Sequence, residues 1–250
     1  MTTVSRIEWT EQTWNPAVGC TKISAGCKHC YAETMAKRLK AMGTPGYENG
    51  FALQLLPQRL QDPLKRKKPT VYFVNSMSDL FHERIPDSYI AQVFEVIGQT
   101  PHHTYQILTK RAARMARYFR QKAAPRNAWL GVSVENKKHG VPRIDHLRKV
   151  AAHIRFLSVE PLLEDVGPLD LTDIHWVIVG GESGPKARPM KQEWADAVRQ
   201  QCEEQRVAFF FKQWGGWGAD GQRRAKSANG RELNGRTWDE MPAAVAQSVG

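Results

Sequence analysis

Beyond residue 70 the chain repeats one pattern: a short, near-continuously apolar run followed by a stretch of helical period. The runs are VYFVN at 71–75, TYQIL at 104–108, WLGVSV at 129–134, IRFLSV at 154–159, HWVIV at 175–179 and VAFFFK at 207–212. A sheet with one wet face would alternate apolar and polar residues, so runs like these fit strands covered on both faces. The stretches at 87–97, 112–121 and 144–150, and the one from Gln192, supply helical crossovers, which makes the sheet mostly parallel. With a further strand before Cys20, the pattern predicts an α/β fold, a partial TIM-type β/α barrel with a cysteine-bearing loop after its first strand. No glycine-rich dinucleotide fingerprint follows an early strand and no P-loop sequence occurs, which removes support from nucleotide-binding doubly wound sheets.

A length of 250 residues suits one large unit of this kind, and 41% hydrophobic residues are enough to bury a core. The expected organisation is a barrel domain over 1–214, with an insertion at about 43–69, and an irregular cap or tail over 215–250. No apolar run approaches the ~20 residues that span a bilayer, and the opening MTTVSRIEWTEQ lacks the layout of a secretory signal. The expectation is a cytoplasmic protein without a membrane partner, in which thiols stay reduced. Trp194, Val198 and Cys202 fall on one helical face, so Cys202 reads as a core residue.

Lys and Arg outnumber Asp and Glu by 36 to 25, and a net charge of +11 favours polyanionic partners. The excess concentrates at Lys65-Arg66-Lys67-Lys68 and at Lys110-Arg111 with Arg114, Arg117, Arg120 and Lys122. These segments read equally as solvated faces or as a nucleic-acid surface. Polar groups also gather just past the strands: Ser76, Ser78 and Asp79; Thr109, Lys110 and Arg111; Glu135 and Asn136; Glu160; Glu182 and Ser183; Gln213. In a β/α barrel the carboxyl ends of the strands converge on the active site, so these groups would share one rim.

Three of the four cysteines, Cys20, Cys27 and Cys30, stand within GCTKISAGCKHCY at a C-x6-C-x2-C spacing. Clustered thiols in a reducing compartment point to a metal. Structural zinc wants four tetrahedral ligands; there is no second CxxC, His29 sits badly between the pair, and a remote histidine would have to complete the site. A 4Fe–4S cube held at three corners leaves its fourth iron open for an exchangeable chelator, such as the amino and carboxylate groups of S-adenosylmethionine. Both readings stand at this point, the alternative being a zinc-clipped nucleic-acid-binding protein.

Three cysteines in a loop after the first strand, followed by YAETMAKRLKAM and then by β/α units, resemble the radical S-adenosylmethionine superfamily. The spacing departs from that superfamily's usual C-x3-C-x2-C, and His29 occupies its aromatic slot. TWNPAVGCTKISAGCKHCYAETMAKRL, SMSDLFH, QILTKR, WLGVSVEN, RFLSVEPLL, VIVGGESGPKARPM and FFFKQWG are similar to a phage and bacterial family of three-cysteine proteins of unknown function. The resemblance implies Cys20, Cys27 and Cys30 as cluster ligands and His29 near the adenine of S-adenosylmethionine. It implies Asn75, Ser76, Ser78 and Asp79 at the methionine amino group, and Glu135 and Asn136 at the ribose. Lys110, Glu160 and Lys212 are the catalytic candidates. The implied activity is reductive cleavage of S-adenosylmethionine and hydrogen abstraction from a nucleic acid base or nucleotide, with an electron donor of flavodoxin or ferredoxin type.

Overall fold

A computed structural model describes residues 3–4 and 7–242. The chain divides into two compact units: one built from the chain up to Ile23, Cys30–Gly131 and Lys149–His153, the other from Ser24–His29, Val132–Arg148 and Ile154 onward.

In the first unit, β1 (Thr3–Val4) pairs antiparallel with β2 (Gln12–Trp14). Next come β3 (Ala17–Val18), α1 (Tyr31–Ala41) and β4 (Gln54–Leu55), which pairs antiparallel with β3. They are followed by β5 (Val71–Val74), α2 (Asp87–Gln99), β6 (Thr104–Thr109) and α3 (Ala112–Tyr118). β2, β5 and β6 run parallel, with Trp14 opposite Val74 and Val74 opposite Ile107. β7 (Ala128–Ser133), buried along its whole length, has its first four residues in this unit and its last two in the other.

Side chains alternate along a strand, so Gln12, Trp14, Tyr72 and Tyr105 share one face, while Thr13, Phe73 and Gln106 share the other. Tyr72 and Tyr105 stack with centroids 5.4 Å apart. α2 buries Tyr89, Ile90, Val93, Phe94, Val96 and Ile97; the Tyr89 hydroxyl donates to the Pro16 carbonyl at 2.7 Å, fixing the turn between β2 and β3. The segment read as an insertion folds onto α1: Tyr47, Phe51 and Leu56 pack with Ala32, Ala36, Val18 and Met77. That apolar face, at i and i+4, is what holds a helix whose remaining positions are mostly charged.

The second unit holds α4 (Pro142–Arg148), β8 (Ile154–Val159), β9 (Trp176–Gly180), α5 (Gln192–Glu204), β10 (Ala208–Gln213) and α6 (Lys226–Asn229). β8, β9 and β10 are parallel, and the register slips between Phe211 and Gln213, so Lys212 is bulged out of the ladder. Trp238, Asp239 and Glu240 run antiparallel beside β10: Phe211 N–H donates to the Trp238 carbonyl and Glu240 N–H to the Phe209 carbonyl.

The mostly parallel α/β class is the one the apolar runs predict, and each run forms a strand within a residue or two of its expected bounds. Three helices differ at their ends, α2 running two residues further, to Gln99. α4 starts at Pro142, because proline suits a first helical turn whose N–H needs no partner. α3 stops at Tyr118, because Phe119 turns inward and sets its ring 5.0 Å from that of Phe94. Cys202 is buried with Ala195 and Val198 on α5, whereas Trp194 is only partly covered. Burial pushes the Cys202 thiol up to about 12.

Gly19 connects β3 to the cysteine loop with φ of 79°, and a Cβ there would lie 2.2 Å from the Ala52 carbonyl oxygen. Gly19→Ala is therefore expected to lose about 2–3 kcal/mol of stability, seen as a lower urea midpoint with an unchanged slope. A disulfide-forming thiol reagent at pH 8 is expected to modify three cysteines of the metal-free native protein, Cys202 reacting only after denaturation; a fourth thiol reacting at native rate would contradict the burial of α5.

Candidate functional site

Cys20 belongs to the first unit, and backbone bonds fix its position. Gly19 N–H donates to the Met77 carbonyl at 2.9 Å and Cys20 N–H to the Phe51 carbonyl at 3.2 Å. Its sulfur then accepts a hydrogen bond from Arg111 Nη1 at 3.4 Å. Arg111, only 6% exposed, also donates from Nη1 to Asp79 Oδ2 (3.1 Å), from Nε to Glu83 Oε1 (2.8 Å) and from Nη2 to Thr21 Oγ1 (2.9 Å) and the Thr21 carbonyl (3.2 Å). Burial works against the Arg111 charge, yet Asp79, Cys20 and Glu83 outweigh it and hold its pKa above the ordinary value. For Cys20 the order is reversed: burial and the Asp79 charge raise the thiol pKa more than Arg111 lowers it.

Asp79 ties this end of the unit together. Oδ1 accepts from Thr109 Oγ1 (2.6 Å) and Phe81 N–H (3.0 Å), and Oδ2 from Lys110 N–H (3.0 Å) as well as Arg111. The loops after β5 and β6 thus meet on one carboxylate. His82, 2% exposed, accepts the Arg84 N–H at Nδ1 (3.2 Å) and places Nε2 2.9 Å from Thr21 Oγ1. Burial first, and the Arg111 charge second, lower its pKa; with Nδ1 accepting a backbone N–H, the ring hydrogen belongs on Nε2, facing Thr21 Oγ1.

The other residues after β5 divide. Ser76 exchanges hydrogen bonds with the Asn15 side chain (3.1 and 3.3 Å), and the Ser78 hydroxyl donates to the Ala17 carbonyl (2.9 Å). Asn75 is different: it is 3% exposed, and neither Oδ1 nor Nδ2 has a hydrogen-bond partner among the described residues. Gln106 Oε1, buried on β6, also has no hydrogen-bond partner among the described residues. Cys30 occupies the N-cap position of α1 and packs against that helix's apolar cluster, and Lys110 is partly exposed.

In the second unit, Cys27 ends a single turn of 3-10 helix, Ala25–Cys27, with its sulfur 3.8 Å from Ser24 Oγ. Two supports hold that turn. Arg188 Nη2 donates to the Ala25 carbonyl at 3.0 Å, while Glu182 grips the same guanidinium through Nε (2.8 Å) and Nη2 (2.5 Å). The Glu182 hydrogen bond, opposed by burial, raises the Arg188 pKa. The second support is Glu135: a Cβ on Gly26 would sit 3.1 Å from its Cγ, tighter than an ordinary contact, so glycine lets the turn seat this close. Glu135 is fully buried, and Arg143 satisfies it from Nη1 (2.6 Å) and Nη2 (3.3 Å). Asn136 accepts the His139 N–H at 2.9 Å, as a turn residue does. His29 is half-buried at the end of the turn.

Glu160 and Lys212 form one ion pair, with Nζ 2.8 Å from each carboxylate oxygen. The bulge in β10 produces it, since an extra residue re-aims the side chain that follows Phe211. Gln213 Nε2 donates to Glu160 Oε1 (3.2 Å) and Ser183 Oγ (2.8 Å), while its buried Oε1 has no partner among the described residues. The roles of Arg143, Arg188 and His82 and the unpaired state of Asn75 had no signal in the sequence: their contacts lie outside any helical or strand period, and Asn75 has no hydrogen-bond partner among the described residues at all.

No disulfide joins any of the four cysteines. Reduced thiols and an unsatisfied buried carboxamide suit an iron–sulfur cluster and a small polar ligand in kind. Among the described residues, no group of three or more His, Cys, Asp or Glu side chains is gathered to hold a metal ion. No described helix is long and apolar enough to cross a membrane.

Among solved structures, a cysteine-to-serine mutant of spore photoproduct lyase aligns with a TM-score of 0.50 at 15% identity, covering 82% of this chain and 64% of that one. Spore photoproduct lyase complexed with dinucleoside spore photoproduct aligns over the same shares, with a TM-score of 0.48 and 14% identity. The chain therefore spans about 64% of the length of the solved proteins it matches. The first likeness shows the fold, a mostly parallel partial β/α barrel. The comparison with curated proteins gives no significant match. Residues 4–242 match the family described as "Protein of unknown function (DUF5131)", and the chain belongs to that family.

Proposed function

We propose that this chain is an S-adenosylmethionine-dependent iron–sulfur enzyme in which Cys20, Cys27 and Cys30 hold a 4Fe–4S cluster. The observation that carries the reading is the conjunction of three thiols outside any disulfide at C-x6-C-x2-C with a partial β/α barrel like that of spore photoproduct lyase. When bound, such a cluster supplies an open iron and one electron, the chemistry of reductive S-adenosylmethionine cleavage.

The chain's own part is binding and orientation. Asn75 offers a buried acceptor and donor without internal partners, which suits the amino and carboxylate groups of the methionine moiety. Ser76, Ser78 and Asp79 line the same segment, but their hydrogen bonds to Asn15, Ala17, Thr109 and Arg111 make them supports for it. His29, Glu135 and Asn136 remain the proposed adenosine side of the site, with Glu135 acting through the seat it gives Gly26. Lys212 and Glu160 present a paired ammonium and carboxylate for orienting a polar substrate, and Lys110 offers a second cation. The net charge of +11, with the likeness to a spore photoproduct lyase, supports a nucleic acid base or nucleotide as substrate. A low-potential flavodoxin or ferredoxin is the matching electron donor, and the cytoplasm the matching compartment.

Anaerobic reconstitution with iron and sulfide is expected to give a brown protein that, with dithionite and S-adenosylmethionine, releases 5′-deoxyadenosine; the triple Cys20, Cys27, Cys30→Ala variant is expected to release none. A colourless protein carrying one zinc per chain would replace this reading with a structural clip. Asn75→Leu removes two unsatisfied buried polar atoms, so it is expected to raise stability by about 1 kcal/mol while weakening S-adenosylmethionine binding about tenfold. Calorimetric titration and urea unfolding measure the two effects, and unchanged affinity would remove Asn75 from the site.

A further inference from the structure

We propose that Arg111 sets the reduction potential of the cluster through its hydrogen bond to the Cys20 sulfur, making it a positioning residue for electron uptake. The inference rests on the reading above and concerns a residue to which that reading gives no role. Nη1 lies 3.4 Å from Cys20 Sγ, within hydrogen-bonding range for sulfur. The guanidinium cannot turn away, because Asp79, Glu83 and Thr21 hold its remaining edges and it is almost wholly buried. An N–H aimed at a ligand sulfur stabilises the added negative charge when the cluster takes one electron from a low-potential donor, so it raises the potential.

The surrounding charges give the proposal its sign. Asp79 and Glu83 face the same guanidinium, and His82, the other titratable group of this loop, is engaged at Nδ1 by the Arg84 N–H and at Nε2 by Thr21. Without Arg111, the Asp79 carboxylate, bonded to the same Nη1 that reaches the sulfur, would act on it uncompensated and the potential would fall. Without the Glu83 charge, the guanidinium would act with less opposition and the potential would rise. Glu83 is 62% exposed in its side chain, so neutralising it leaves the packing intact.

The test is an anaerobic redox titration of reconstituted protein, following the cluster's visible absorbance and its paramagnetic signal, for wild type, Arg111→Gln, Arg111→Lys and Glu83→Gln. Expected are a shift to lower potential for Arg111→Gln, a smaller one in the same direction for Arg111→Lys, and an opposite shift for Glu83→Gln. If Arg111 merely braces the loop, the variants lose iron while the clusters that remain keep the wild-type potential, and the proposal is overturned. If Arg111→Gln does not fold, Glu83→Gln decides: an unmoved or lowered potential overturns it. Wild-type protein that takes up no iron sinks the enzyme reading itself, whereas a cluster with unmoved potentials sinks only the role of Arg111.

Discussion

The buried pair of Arg111 and Asp79 is the interaction on which the polar end of the first unit depends. Asp79 collects the loops after β5 and β6, and Arg111 carries that junction to Thr21 and Cys20. A buried ion pair adds little net stability over well-packed apolar groups, because desolvation offsets most of the attraction. What it contributes is position. A planar guanidinium with five donors satisfies several acceptors at once in a fixed geometry, which an apolar contact cannot do.

The second unit solves the same problem with other residues. The Cys27 turn has too few residues to bury a core, and its support comes from the Glu182–Arg188 pair and from Glu135 held by Arg143. In both units a carboxylate is satisfied by an arginine before either faces a ligand. Asn75 and Gln213 depart from that pattern, each leaving a buried polar side-chain atom unpartnered among the described residues. An unmet hydrogen bond in a folded interior is costly unless a ligand or water meets it. Such atoms therefore mark binding capacity more directly than charge does.

The basic segment after β6 illustrates what composition can and cannot tell. As a string it is one positive patch. In the fold, Arg111 is buried against two carboxylates, and Arg114 turns to the His82 and Ile85 carbonyls and to Asp87. Lys122 instead lies over the Tyr118 ring at 3.5 Å. Part of the formal charge is thus structural, and the surface available to a polyanion is smaller than the sequence suggests. Similarly, Glu160 and Lys212 looked like separate rim groups 52 residues apart and are one ion pair.

The sequence by itself determined the class of the fold and the elements that build it, because apolar runs and helical periods are local and a doubly covered strand has few alternatives. It also placed Cys202 in a core and the other three thiols in one loop. Only the tertiary structure decided which polar groups are already satisfied. That depends on partners 28 to 91 residues away in the Arg111 network alone, and hydrogen-bond geometry at such separations has no image in residue spacing.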